Sequence, residues 1–292
     1  MSKWSFAMAF LGLLLGVGCF SDRTGDDQPL HWKFSHEIPL QGIAPIGIVS
    51  QPDNALWVSD VAYNRVLKLD QKGLILEQYS GFERPMHLAF KEGKLYIPEY
   101  TSDTIKMLIN GQISTYSFDH ATDAIAGIAL DEERVVIADF YHHHVVLKRG
   151  KNEQIIGSKG HEDGQLYYPT DVAIHKDKIY VADAYNNRVQ VFDLSGKYIQ
   201  MIGWQDNIQV ATGIKVTDAQ IMVADFDGDR VLVYAQDGSL LQVLDQHFNK
   251  PTDMEIFDNQ LYIVNYAGQS ISVFTGQSNG TDDKTTLELI RR

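Results

Sequence analysis

The chain repeats one phrase six times at a nearly fixed interval. An apolar, β-rich run ends in an acid or amide, a short tip follows, and a second β-rich run returns. The phrases read LWVSDVAYNRVLKL, LYIPEYTSDTIKML, VVIADFYHHHVVLK, IYVADAYNNRVQVF, IMVADFDGDRVLVY and LYIVNYAGQSISVF. The closing residues are Asp60, Glu99, Asp139, Asp183, Asp225 and Asn265, with spacings of 39, 40, 44, 42 and 40. A period near 40 with several short strands per unit is the signature of a propeller blade. The expected fold is all-β: a six-bladed β-propeller of four-stranded antiparallel blades.

The fourth unit shows the expected strands most clearly: PTDVAI (169–174), KIYVAD (178–183), RVQVFD (188–193) and KYIQMIG (197–203). The first run is rich in small residues, as inner strands crowd an axis. The second and third are apolar and β-branched because both faces pack on neighbouring blades. The fourth is outermost and more polar. The sixth unit runs out of pattern after SISVFTG (270–276), so its outer strand must come from elsewhere. Two segments qualify: HWKFSHEI (31–38), which alternates Trp32, Phe34, His36 and Ile38, and the tail TTLELI (285–290). The N-terminal segment is the favoured closing strand, since it would join the chain ends and remove an open edge.

Residues 1–19 read MSKWSFAMAFLGLLLGVGC, with Lys3 ahead of an apolar run from Phe6 to Val17. The pattern is that of a secretory signal. Its Gly18-Cys19 end resembles a bacterial lipoprotein signal, although Gly16 stands where such signals usually carry Leu. The expected organisation is a signal peptide over 1–18, a lipidated Cys19, a tether over 19–30 and one propeller over 31–292, exported and held at the bacterial cell envelope by its lipid. Cys19 is the single cysteine, so lipidation also accounts for its lacking a disulfide partner. The net charge of −13 disfavours nucleic acid, which needs a basic face to displace counterions.

The units resemble NHL repeats, which build six-bladed propellers. The fourth is the nearest match, with its Gly-rich entry loop, Pro169-Thr170-Asp171, Val181-Ala182-Asp183, Asn186-Asn187-Arg188 and the Asp193 turn. The first and fifth units match well, and the second, third and sixth are degenerate. The resemblance covers residues 44 to 276. It speaks for fold more than for function, because propellers host both enzymes and adaptors.

Three sets of residues carry the chemistry. One ring follows the strand entries: Gly47, His87, Gly127, Asp171, Gly213 and Asp253. Its polar members, His87, Asp171 and Asp253, fall in alternate blades. Converging on the axis, they would make a site for a divalent cation, calcium or zinc. The plainer account is local bonding to backbone N–H groups. The acid ring from Asp60 to Asn265 reads as structural. The resemblance implies that each acid ties down its tip or pairs with a basic residue five positions on, as in Asp60–Arg65, Asp183–Arg188 and Asp225–Arg230. The tips carry Tyr63, Tyr100, Tyr141, Tyr185, Phe226 and Tyr266, aromatic rings suited to recognition. Both rings and the tips are expected at one mouth of the channel.

His142, His143 and His144 alternate sides in an extended run and so make a poor single metal site. Asp225-Phe226-Asp227-Gly228-Asp229 lacks the length and final Glu of an EF-hand loop. Amidating lyases of similar shape bind zinc through histidines directly after Pro, where this chain has Ile46, Met86, Thr170 and Thr252. The expected function is recognition of a protein, peptide or glycan through the tip face. The alternative is a metal-dependent lyase or hydrolase, amidating-lyase-like or lactonase-like, acting at the channel mouth.

Overall fold

The computed structural model describes residues 28–278. The signal segment, Cys19 and the tail 285–290 lie outside them. Six antiparallel sheets of four strands follow one another along the chain. Blade 4 is built from Pro169–His175, Lys178–Asp183, Arg188–Asp193 and Tyr198–Ile202, within a residue or two of the strands read from sequence. The outer strands are exposed, as in Ile75–Ser80, but less polar than expected, with Ile75, Leu240 and Leu241 among their exposed side chains, while second strands such as Ala55–Asp60 are buried.

The sixth blade is closed by the N-terminal segment, as expected. Leu30–Pro39 pairs antiparallel with Ser270–Ser278, in a register from Leu30 opposite Ser278 to Pro39 opposite Ser270. Trp32 anchors this strand. Its ring is buried, and its Nε1 donates to Gln220 Oε1 of blade 5 at 3.2 Å. Gln242, also of blade 5, accepts from the Trp32 amide at 2.9 Å and donates to the Trp32 carbonyl at 2.7 Å. The closing strand is thereby held by two blades.

The apolar core lies in six seams, one between each pair of neighbouring blades. Leu56, Val58 and Leu67 of blade 1 meet Tyr262, Val264 and Val273 of blade 6, and Ala182 and Val189 of blade 4 meet Val223 and Leu232 of blade 5. Burying each such side chain contributes roughly 1.5–3 kcal/mol, so every blade depends on both neighbours.

The tips repeat a backbone conformation as well as a sequence. The residue four positions after each acid is left-handed: Asn64, Asp103, His143, Asn187, Asp229 and Gln269 all have φ between 47° and 57°. Asn and Asp tolerate this region because their short side chains bond locally. The conformation turns the chain so that the next residue, five after the acid, comes back against it.

The first strands are irregular where they enter the sheet. Register shifts fall between Pro45 and Ile48, Ile125 and Gly127, Pro169 and Asp171, Ala211 and Ile214, and Pro251 and Asp253. In blade 2 the regular strand shrinks to Ala89–Lys91, and the His87 amide donates to the Ala126 carbonyl of blade 3. Bulges of this kind re-aim side chains. They turn the entry residues toward the axis.

Candidate functional site

The entry residues form one collar. A Cβ on Gly47 would fall 2.7 Å from the His87 Cα, one on Gly127 would fall 2.6 Å from the Asp171 Cα, and one on Gly213 would fall 2.8 Å from the Asp253 Cα. Glycine thus lets the first strands of blades 1, 3 and 5 close onto those of blades 2, 4 and 6. The three polar members meet. His87 Nδ1 lies 3.7 Å from Asp171 Oδ2 and 3.4 Å from Asp253 Oδ2, and the three residues are 4–5% exposed. Asp171 Oδ2 accepts the Ile214 amide at 3.0 Å, and Asp253 accepts those of Ile48 at 2.9 Å and Met254 at 2.8 Å. His87 Nδ1 is buried without an aligned hydrogen-bond partner.

Burial alone would push the His87 imidazole toward the neutral form. The charges of Asp171 and then Asp253 outweigh it and raise the pKa to about 9. Burial lifts Asp171 well above the usual carboxylate range, to about 7, against the opposing pull of His87. At neutral pH the arrangement is an imidazolium between two carboxyl groups. The same three ligand atoms lie within 4.8 Å of one another, close enough to converge on a cation.

Beneath the collar is a cavity of about 200 Å³. It is lined by first-strand residues, running from His87, Asp171 and Asp253 to Lys215 and Glu255, and by none of the tip aromatics. The Lys215 ammonium sits 2.7 Å from Glu255. The collar and the tips lie at the same end of the blades, since each entry pairs with the residue that opens the tip, as Pro169 does with Asp183 and Pro251 with Asn265, but the recess itself is lined by first strands alone. The bulged entries bring the collar side chains inward and leave the tips outside.

The tip aromatics separate into three groups. Tyr100, Tyr141 and Tyr185 belong to one continuous cluster over blades 2 to 4. Phe140 touches Tyr100 at 5.6 Å between ring centroids, Tyr141 at 5.0 Å and Tyr168 at 4.8 Å. Tyr168 meets Tyr185 at 5.0 Å and Tyr167 at 4.6 Å. Tyr141 and Tyr185 remain 48% and 59% exposed. Phe226 and Tyr266 form a separate pair at 6.3 Å. Tyr63 is 63% exposed and meets only the Arg65 guanidinium among these groups. Sequence reasoning missed Phe140, Tyr167 and Tyr168. The signal was available: Tyr167 and Tyr168 sit in the loop just before Pro169, and loops between blades reach the same face as the tips.

Cations border these rings. Arg84 lies 4.4 Å from the Tyr100 centroid, Lys250 5.3 Å from Phe226 and Lys159 5.9 Å from Tyr167. Burial, and then the neighbouring Tyr141 phenol, raise the Tyr100 pKa, so Tyr100 stays a neutral donor at all ordinary pH.

The acid ring is a set of clamps. Asp60 accepts the Ala44 amide at 3.0 Å and Arg65 Nε at 2.7 Å. Asp183 accepts the Tyr167 amide at 2.7 Å and Arg188 Nε at 2.8 Å, and Asp225 the Val210 amide at 3.0 Å and Arg230 Nε at 2.9 Å. Glu99 uses the Ser102 and Thr104 hydroxyls, and Asn265 those of Ser270 and Ser272. Each clamp ties the entry loop of its blade to the tip.

Comparison with known proteins agrees with this architecture. The NHL repeat family profile matches residues 166–192. Protein brain tumor of Drosophila melanogaster is 25% identical over 123 residues, which are 40% of this chain and 12% of that protein's length. Virginiamycin B lyase from Staphylococcus aureus superposes with a TM-score of 0.62 at 14% identity, over 84% of this chain and 99% of the lyase. A luciferin-regenerating enzyme superposes at 0.65 with 11% identity, over 86% and 96%. At such identities the structural likeness speaks for the fold alone. Blade 4 matches the NHL repeat profile, and with five further four-stranded blades of the same build around it, the described residues form a six-bladed β-propeller.

Proposed function

We propose that this protein is a recognition platform, exported and anchored through Cys19, that binds a protein or peptide on the tip face of blades 2 to 4. The observation that carries the reading is the continuous aromatic cluster from Tyr100 through Phe140, Tyr141 and Tyr168 to Tyr185, spanning three blades with two rings about half exposed. Aromatic rings bury large area at little entropic cost and concentrate binding energy at the centre of interfaces. The bordering Arg84 and Lys159 favour a segment that presents apolar and acidic side chains together.

Site-directed photo-crosslinking in the native envelope tests it. A crosslinker at Tyr141 or Tyr185 is expected to trap one partner reproducibly, and the same group at Lys94, near a turn on the other face, to trap none. Equal capture from both positions, or capture of glycan alone, overturns the reading.

A second reading rests on the collar. His87, Asp171 and Asp253 converge beside a cavity of about 200 Å³, and the orphaned His87 Nδ1 faces both carboxylates. A divalent cation held there would leave positions open to a small substrate for lyase or hydrolase chemistry. Elemental analysis of the purified protein tests it. Stoichiometric metal that disappears in His87→Ala supports the reading, and metal-free protein removes it.

A further inference from the structure

Blade 3 breaks the clamp pattern in a way that the recognition reading does not use. Its acid, Asp139, is fully buried, as are its counterparts in the other blades. Its Oδ1 accepts the Asp123 amide at 3.1 Å, just as Asp183 accepts the Tyr167 amide in blade 4. The partner on the other oxygen differs. Where blades 1, 4 and 5 supply an arginine five residues after the acid, blade 3 supplies His144, whose Nε2 lies 3.4 Å from Asp139 Oδ2. Where blade 4 has Asn186 three residues after the acid, blade 3 has His142, whose Nδ1 lies 2.9 Å from the same oxygen.

A third imidazole comes from the entry loop. The backbone amides of Asp119 and His120 donate to Glu153 at 2.9 and 2.8 Å, which pins this loop to the outer strand of the blade. The His120 ring then stands 5.2 Å from that of His144 and 6.0 Å from that of His142, centroid to centroid. His120 Nε2 and His144 Nε2 are both buried and have no hydrogen-bond partner. One ligand atom from each of His120, Asp139, His142 and His144 lies within 4.8 Å of all the others. His143, between them, faces away. Its Nδ1 accepts the Tyr168 amide at 3.0 Å.

A buried carboxylate needs a lasting counter-charge or a full set of donors. A guanidinium supplies both at any ordinary pH. Three imidazoles, two of them with idle buried nitrogens, supply neither while neutral, but they are the ligands a borderline-soft cation prefers. We infer that His120, His142, His144 and Asp139 form a zinc site that closes the tip of blade 3 in place of the arginine clamp. Four protein ligands make it a closed, structural site. Tetrahedral ligands about zinc stand about 3.3 Å apart, so the present spread needs only modest turning of the imidazoles. The His142 side chain is 40% exposed, which leaves its ring room to turn. The bound ion would fix the tip that carries Phe140 and Tyr141 to the loop that carries His120.

The test uses the full chain, stripped with a chelator and titrated with zinc by calorimetry. The informative variant is His142→Asn with His144→Arg. It recreates the Asp183–Asn186–Arg188 clamp of blade 4 and therefore keeps the blade folded without metal. The expected result is that this variant binds one zinc equivalent fewer than the parent, and that His120→Ala weakens the same equivalent at least tenfold. His87→Ala, which touches only the collar, is expected to leave that equivalent in place. Zinc should raise the melting temperature of the parent and leave that of the clamp variant unmoved. Identical zinc binding by the parent and the clamp variant, or loss of the equivalent in His87→Ala alone, overturns the assignment.

Discussion

Blades 3 and 4 hold the same acid at the same tip and satisfy it in different ways. In blade 4 the Arg188 guanidinium reaches Asp183 at 2.8 Å and donates to the Glu162 and Gln165 carbonyls at 2.9 Å each. In blade 3 the corresponding carboxylate keeps an entry-loop amide, that of Asp123, on one oxygen but has only imidazoles on the other. The backbone is the same in both: His143 and Asn187 have φ of 57°. The repeat thus dictates an acid and a turn, and leaves the counter-charge open to substitution. The largest effect that tests this comparison comes from cutting the regular clamp. Arg188→Met leaves Asp183 buried without its cation and frees two loop carbonyls. It is expected to cost about 3–5 kcal/mol, read from urea unfolding. A loss below ~1 kcal/mol would mean that the acid tolerates an incomplete partner set, and blade 3 would then need no special explanation.

The collar asks whether a buried imidazole can serve as a lasting cation at all. His87 sits between Asp171 and Asp253 and holds its proton to about pH 9, whereas an unfolded chain releases it near the ordinary histidine value of about 6.5. The folded state therefore binds more protons than the unfolded state across that window. The contribution of His87 is expected to be complete below about pH 6.5 and to be lost as pH rises through about 9, by on the order of 3 kcal/mol before solvent relaxation. The raised Asp171 pKa acts in the same direction at lower pH, since ionising that carboxyl also costs more in the fold. Melting temperatures of chelator-treated protein between pH 6 and 10 measure the slope. Asp171→Asn removes one of the two charges that hold the proton and should flatten the curve. A profile that rises with pH in untreated protein would instead point to a cation bound at the collar.

Restoring a guanidinium to blade 3 should have a smaller effect of opposite sign. In chelator, His142→Asn with His144→Arg gives Asp139 a permanently charged guanidinium donor in place of imidazoles. A gain of roughly 1–2 kcal/mol is expected from urea unfolding. A loss would show that the blade 3 tip is shaped for imidazoles in ways that the clamp comparison does not capture.

Much of the fold was readable because repetition amplifies weak signals. Any single run such as IYVAD is ambiguous, but six runs in step leave one architecture, and the missing fourth strand of the last unit called for a closing partner. Trp32 and Ile38 then supplied the buried alternation that the partner needed. The sites were less readable, for two reasons. The spacing already singled out His87, Asp171 and Asp253 as a ring, but the bulges that turn them together are not read from simple strand alternation, so how closely they meet needed coordinates. The blade 3 cluster depends on His120, which lies 22 residues before His142 in an entry loop outside the repeated phrase. Counting from the acid would have found the other two members, since His142 and His144 occupy the positions of Asn186 and Arg188. Reading the three histidines as a strand run, instead of against blade 4, concealed that correspondence.

The smallest expected effects on stability fall where the two blades act together. Tyr141 and Tyr185 come from the differently clamped tips of blades 3 and 4, yet both join the cluster built on Phe140 and Tyr168. Both rings are about half exposed, so Tyr141→Ala and Tyr185→Ala should each change stability by no more than about 0.5 kcal/mol, as should Tyr63→Ala. Binding of the crosslinked partner should separate them. Losing a ring from a cluster that spans three blades removes part of a shared contact surface, and a drop of about tenfold or more is expected for Tyr141→Ala and Tyr185→Ala. Tyr63 stands apart, stacked only on Arg65, and its removal should leave affinity unchanged. Equal losses at Tyr63 and Tyr185 would spread the contact around the whole rim, and the cluster over blades 2 to 4 would then not be what selects the partner.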